Sequence, residues 1–211
     1  MFDQLLENTI LLFVAVDPIA LVPIFASLTQ GLNKDDIKKI YIQATIVSFF
    51  ILSLFYIFGT AILDLMGISM SSFKIIGGLF LVVIAFQMVL EQRQTRRQNT
   101  AEVALDDESI QSLAIFPLAI PLIAGPGAMT TALLIAENNT SNTTEILINF
   151  IPILIIVILV AFSMWLSASL AKKVGPTIII VVQKIFGILL GALAIEFVVN
   201  GIVESFKLQG F

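Results

Sequence analysis

The stretch DPIALVPIF, Asp17–Phe25, lies within an apolar run, Leu5–Gln30, that is long enough to cross a bilayer as a helix. Proline lacks an amide hydrogen and its ring clashes with the preceding turn, so Pro18 and Pro23, five residues apart, break or kink such a helix. Asp is a preferred N-cap and Pro a preferred first helical residue. The pair Asp17-Pro18 is therefore expected to end one half-helix near Val16 and begin a second at Pro18, deep in the membrane. A break there leaves N–H and C=O groups unpaired, which is tolerated only inside protein or beside a water-filled cavity. At the centre of a span an Asp costs about +2.5 to +3.5 kcal/mol, against roughly −0.3 to −0.6 for each Leu, Ile, Phe or Val. Asp17 is thus a candidate ion, proton or substrate-orienting group, with simple capping as the competing reading.

Outward from this stretch the chain is of one kind. Of its 211 residues 58% are hydrophobic and 12% charged, about half the charged share of a soluble domain. Six apolar runs follow one another: Leu5–Gln30, Tyr41–Asp64, Ser71–Leu90, Leu113–Ala136, Ile146–Ala171 and Thr177–Val203. None alternates with period two, so the expected fold is an all-α membrane protein with six transmembrane helices and not a barrel. The lipid bilayer is its first partner. His and Cys are both absent, which removes thiol chemistry, His-ligated cofactors and the usual zinc sites. The net charge of −4 and the lack of a basic stripe argue against a nucleic-acid partner. No P-loop pattern or metal-ligand cluster occurs, so no cofactor is expected. Aspartyl catalysis needs two carboxylates sharing a site, and only Asp17 is deep enough, so the chain reads as a non-enzyme.

A second stretch echoes the first. In the fourth run, IPLIAGPGA (Ile120–Ala128) places Pro121 and Pro126 at the spacing of Pro18 and Pro23. Lys74-Ile75-Ile76-Gly77 in the third run is matched by Lys184-Ile185-Phe186-Gly187 in the sixth. Three spans separate each element from its counterpart, so the copies point in opposite directions. The chain reads as two inverted three-helix repeats, residues 1–90 and 113–211, joined by a cytoplasmic linker, 91–112, with the first and fourth spans discontinuous. Lys and Arg fall mainly on one side: Lys34, Lys38, Lys39, Arg93, Arg96, Arg97, Lys172 and Lys173 all lie in odd-numbered connections. That bias makes these connections cytoplasmic and puts both termini outside. The RQTRR cluster, Arg93–Arg97, reads as a topology signal in a solvated linker, with anionic-lipid binding as the alternative.

The two breaks supply the candidate site. Gly125 suits a left-handed backbone and Pro126 suits a helix restart. Two half-helix N-termini would then approach each other near the midplane, where free N–H groups and positive dipole ends favour a carboxylate. The candidate substrate-binding residues are Asp17, Pro18, Ile19, Ala20, Pro23, Gly125, Pro126, Gly127, Ala128 and Thr130, with Asp17 and Glu196 as candidates for ion or proton coupling. Lys74 and Lys184 are expected to snorkel to opposite interfaces, with a gating ion pair as the alternative. Gly77-Gly78 and Gly187-xxx-Gly191 allow close helix packing within the chain, or a homo-oligomer through the same faces.

DPIALVPIFASLT (Asp17–Thr29), GISMSSFKIIGG (Gly67–Gly78), PLAIPLIAGPGAMT (Pro117–Thr130) and KIFGILLGALAIEFVVNGI (Lys184–Ile202) together resemble the MarC family of six-span membrane proteins. The likeness covers nearly the whole chain. Ala20 stands where the family pattern has Gly, and Lys74 and Lys184 where it often has Arg. The resemblance implies a prokaryotic inner-membrane protein and, for some members, cation-coupled movement of small neutral amino acids such as glycine and alanine. The competing expectation is a non-transporting scaffold or regulator that binds partners through 91–112.

Overall fold

A computed structural model of the chain describes residues 2–104, 110–137, 143–170 and 176–208. Lys172 and Lys173, counted above for orientation, lie outside the described residues, as do positions 105–109 of the 91–112 connection. Most of the described residues are helical, with no strand among them. The first run divides where the sequence places the break: α1, Phe2–Val16, ends one residue before Asp17, and α2, Pro18–Leu28, starts one residue after it. Pro23 sits inside α2 without interrupting it. α3, Lys34–Leu65, begins seven residues before the apolar run does, because the Asn33 side chain accepts from the Asp36 amide at 2.8 Å and caps a polar first turn. Gly67, at φ +68, turns the chain into α4, Met70–Val89, which Ser69 caps.

After α4 comes α5, Gln92–Ala104, and then the short α6, Ile110–Leu113. The segment Ala114–Ile123 that follows is a wide helical stretch interrupted at Phe116 and Ile120, both extended. Each of these residues precedes a proline, whose Cδ pushes the residue before it out of the helical region. Both X–Pro bonds, before Pro117 and Pro121, are cis. α7, Pro126–Glu137, leaves this stretch at 57°, so the fourth run is a bent pair. α8, Thr143–Leu170, and α9, Pro176–Leu208, complete the chain. Among the described residues, five helical stretches are long and apolar enough to cross a membrane, and the bent pair brings the number to as many as six.

Two packed groups share the interior. Leu12, Leu21, Phe25, Leu52, Leu118, Ile123, Ile153 and Ile156 belong to one cluster, built from α1, α2, α3, the 114–123 stretch, α7 and α8. The other joins α4 and α9 through Leu81, Ala85, Met88, Leu190 and Ala194, and reaches the first group through α1 and α7. The α4–α9 contact is very close: a Cβ on Gly78 would stand 2.8 Å from the Ala194 carbonyl oxygen, and one on Gly187 would stand 2.9 Å from Met88 Cβ. The small-residue faces of Gly78 and Gly187 are therefore in close contact within the chain. Large apolar side chains such as Phe50, Phe58, Trp165 and Ile188 face outward. Such a surface suits lipid and not water.

Candidate functional site

The site starts from a shortage of donors. The last regular bond of α1 runs from the Asp17 amide to the Phe13 carbonyl, 2.7 Å. Pro18 has no N–H to offer Val14. The Ala20 amide, which a continuous helix would give to Val16, goes instead to Asp17 Oδ1 at 3.2 Å. Asp17 itself holds a left-handed conformation, φ 57 and ψ 68, which Asp tolerates better than most side chains. A helix end leaves its last carbonyls without partners, and here they lie in a buried place where each would cost several kcal/mol if left bare.

Two arginines of α5 supply what is missing. Arg93 donates from Nη1 to the Val14 carbonyl at 3.3 Å and from Nη2 to the Ala15 carbonyl. Arg97 donates from Nη2 to the Val16 carbonyl at 2.8 Å and from Nη1 to the Asp17 carbonyl at 3.4 Å. Its Nη2 also reaches the Leu122 carbonyl at 3.1 Å, just ahead of the second break. One side chain thus ties both interruptions together. Their spacing of four residues puts both arginines on one face of α5. Both cations also stand at the negative end of the α1 dipole. The reading of the RQTRR cluster as part of a solvated linker is corrected here: the stretch is helical, and Arg93 and Arg97 are buried. Arg96, between them in sequence, is exposed.

Burial, and after it the charge of Arg97, pushes the Arg93 guanidinium down to about 9, while the Asp17 carboxylate acts in the opposite direction. Burial likewise lowers Arg97, again opposed by Asp17. Both remain cationic at neutral pH. Asp17 Oδ2 accepts from Gln183 Nε2 of α9 at 2.9 Å and lies 3.9 Å from Arg97 Nη1. Two buried guanidiniums against one buried carboxylate leave a surplus of one positive charge.

That surplus borders a cavity of about 410 Å³. Phe80, Val83, Ile84 and Gln87 of α4 form one wall, Arg93, Arg96, Arg97 and Thr100 of α5 a second, and Pro121–Ile123 with Gly125–Ala128 a third. The amides of Gly127 and Ala128 precede the first bond of α7, from the Met129 amide to the Gly125 carbonyl, so they are the donors at its N-terminus. Gly125 is not left-handed, contrary to expectation. It is needed for room, because a Cβ there would stand 2.5 Å from the Pro121 carbonyl oxygen.

Of the candidate residues, Gly125, Pro126, Gly127 and Ala128 line this cavity, whereas Pro18, Ile19, Ala20 and Pro23 do not. The structure therefore brings the C-terminal end of α1, capped by arginine, to the N-terminal end of α7, in place of two meeting N-termini. Thr130 is buried against α4, where a Cβ on Gly77 would lie 2.6 Å from its methyl group. Thr131 donates back to the Gly127 carbonyl. Glu196 is exposed on α9, 13 residues and so roughly 20 Å along the helix from Gln183, and the structure does not bring it to Asp17. Lys74 is not snorkelling but buried between Glu137 and Glu204, and Lys184 is paired with Glu91. Sequence reasoning missed Arg93, Arg97 and Gln183 as site residues. The visible signals were the four-residue arginine spacing and one amide inside an apolar run.

A sequence profile described as "MarC family integral membrane protein" matches residues 2–206. The chain is 34% identical to a "UPF0056 membrane protein" of Archaeoglobus fulgidus, over 92% of this chain and 90% of that one. It is 33% identical to another of that description from Aquifex aeolicus, over 93% and 91% of the two chains. A third, "UPF0056 membrane protein YvbG" of Bacillus subtilis, is 29% identical over 98% of this chain and 97% of its own. No solved structure matches the chain.

Proposed function

The chain belongs to the MarC family of integral membrane proteins, and from that premise we propose that it is a secondary transporter of small neutral amino acids of the glycine and alanine kind, coupled to protons or sodium, and not an enzyme. The observation that carries this reading is the cavity between α4 and the N-terminus of α7. The buried group of Arg93, Arg97 and Asp17 leaves one surplus positive charge at the cavity's edge and Arg96 adds a second at its rim, which suits a carboxylate, and the amides of Gly127 and Ala128 add donors of the kind that bind anions at helix starts. Gln87 offers an amide oxygen that can accept from a substrate ammonium. The broken first run and the bent fourth run support two inverted repeats, an arrangement in which transporters hold substrate at interrupted helices. Asp17, bound by Ala20 and Gln183 and facing Arg97, sets the charge of the site more than it contacts solute. The relatives are bacterial and archaeal, which supports a prokaryotic inner membrane, with α5 on the cytoplasmic side by the Lys and Arg bias.

The test is counterflow in proteoliposomes. Vesicles loaded with unlabelled alanine or glycine should accumulate the labelled amino acid, and a proton or sodium gradient should drive net uptake. Folded protein that exchanges neither, with and without sodium and across pH, would refute the proposal. Arg96→Gln, at the cavity rim, should raise the concentration needed for half-maximal exchange more than it lowers the maximal rate.

A further inference from the structure

At the other end of α7 from the cavity, Lys74 of α4 lies between two carboxylates. Its Nζ is 2.6 Å from Glu137 Oε1 and 2.8 and 2.9 Å from the two oxygens of Glu204. Two carboxylates share one ammonium, so the cluster carries one surplus negative charge. The partners are not equivalent. Glu204 belongs to α9, whose backbone presses on α4 at this level: a Cβ on Gly201 would stand 2.8 Å from the Ser71 carbonyl oxygen and 3.0 Å from Lys74 Cβ. Lys74 and Glu204 are therefore parts of one tightly packed pair. Glu137 is the last residue of α7, which belongs mostly to the other packed group. Nearer the cavity, α7 meets α4 through close apolar contacts, Thr130 at Gly77 and Gly127 at Ile84. The Lys74–Glu137 pair is a polar tie across a seam that otherwise holds few polar groups.

We propose that Glu137 takes up the coupling proton and so acts as the gate at this end of the seam. The inference rests on the transport reading and adds to it the identity of the coupling ion and its site. A proton from the outer solution binds a carboxylate oxygen of Glu137. The acid formed is neutral and loses its charged bond to Lys74, which keeps its own proton and stays with Glu204. α7 is then free to move from α4 at this end. The α7 helix runs 12 residues, about 18 Å, from this pair to the cavity-lining Pro126, so a tilt here moves the solute-binding amides. By element order the same side also carries Asp3 and Glu7 near the start of α1, Asp64 at the end of α3 and Glu145 at the start of α8. All four are carboxylates, unable to replace Lys74 as the counter-ion of Glu137. Lys207 of α9 is exposed.

The chain has no native cysteine, so one reporter can be placed at the buried seam and one outside it. Thr130→Cys reports the seam and Met66→Cys, in the exposed turn after α3, serves as reference. Both are reconstituted in vesicles and reacted from outside with a membrane-impermeant maleimide. The ratio of their labelling rates cancels the titration of the thiol itself. That ratio should rise at least about tenfold as the outer solution is taken from about pH 8 to about pH 4. In Glu137→Gln the ratio should be high at every pH, while Glu204→Gln should keep the rise. Leu134→Cys, one turn further along α7, provides a second reporter if Thr130→Cys does not fold. A ratio that stays flat with pH would overturn the proposal, as would one whose rise is abolished by Glu204→Gln and not by Glu137→Gln. Alanine counterflow in the same vesicles separates the two readings. Exchange with a flat ratio removes the gate and leaves the transporter, whereas a rising ratio without exchange keeps the gate and removes the amino-acid substrate.

Discussion

At Pro18 the chain lacks the amide hydrogen that would have bonded the Val14 carbonyl, and Arg93 donates to that carbonyl from 79 positions away. Removing Arg93 as Arg93→Gln should destabilise the protein by about 1.5–3 kcal/mol, as expected for hydrogen bonds from a charged donor. In a Pro18→Ala background the loss should shrink by about 1 kcal/mol, because the restored N–H can reach Val14 itself. Unfolding curves of the four proteins in detergent measure this, and strictly additive losses would mean that Arg93 is not replacing the absent donor. Arg97 serves three carbonyls with one planar group. Arg97→Lys keeps the charge but not the fork, and its melting temperature should fall well below wild type. At Asp17, Asn retains an oxygen for the Ala20 amide, whereas Ala does not. Asp17→Ala should therefore lose about 1 kcal/mol for the cap alone, plus a share of the roughly 3–5 kcal/mol that follows when one partner of a buried pair is removed. Asp17→Asn should spare the first of these.

Between helices, contact distance decides what a methyl group does. A Cβ at Gly127 meets the end of a flexible side chain, Ile84 Cδ1, at 2.3 Å, while one at Gly78 meets backbone, the Ala194 oxygen at 2.8 Å and the Val198 nitrogen at 3.0 Å. Gly127→Ala should be rescued by Ile84→Ala. Gly78→Ala should cost about 1–3 kcal/mol as an overpacked contact, with no single side-chain change to relieve it. Thermal melts of the single and double variants check both. These elements were unequally legible in the sequence. The end of α1 at Val16 and the start of α2 at Pro18 could be read because capping and proline chemistry act within four residues. The same locality fixes Pro126 as the start of α7. The role of Arg93 and Arg97 could not be read that way, since hydropathy registers a charge in a connection but not a carbonyl far off in sequence that needs it. The placing of Glu196 could not be read for a different reason. Its helix is apolar nearly all round, so no stripe of polar residues says which face looks inward.

Over the whole molecule, the proposed orientation rests on positive charge, yet two of the eight cations counted for it are buried at the helix break. The bias survives their removal, with Lys34, Lys38, Lys39 and Arg96 on the same side. Single cysteines at Met66 and Gln98, both exposed, should therefore label oppositely in intact cells: the first from outside, the second only after permeabilisation. Equal labelling of both would overturn the orientation. The burial of α5's arginines also bears on how the protein is made. The first helix leaves the ribosome long before residues 93–97 exist, and until they arrive its terminal carbonyls have no internal donors. The nascent amino-terminal segment must therefore wait beside water or an insertase until the middle of the polypeptide emerges and folds back to close it.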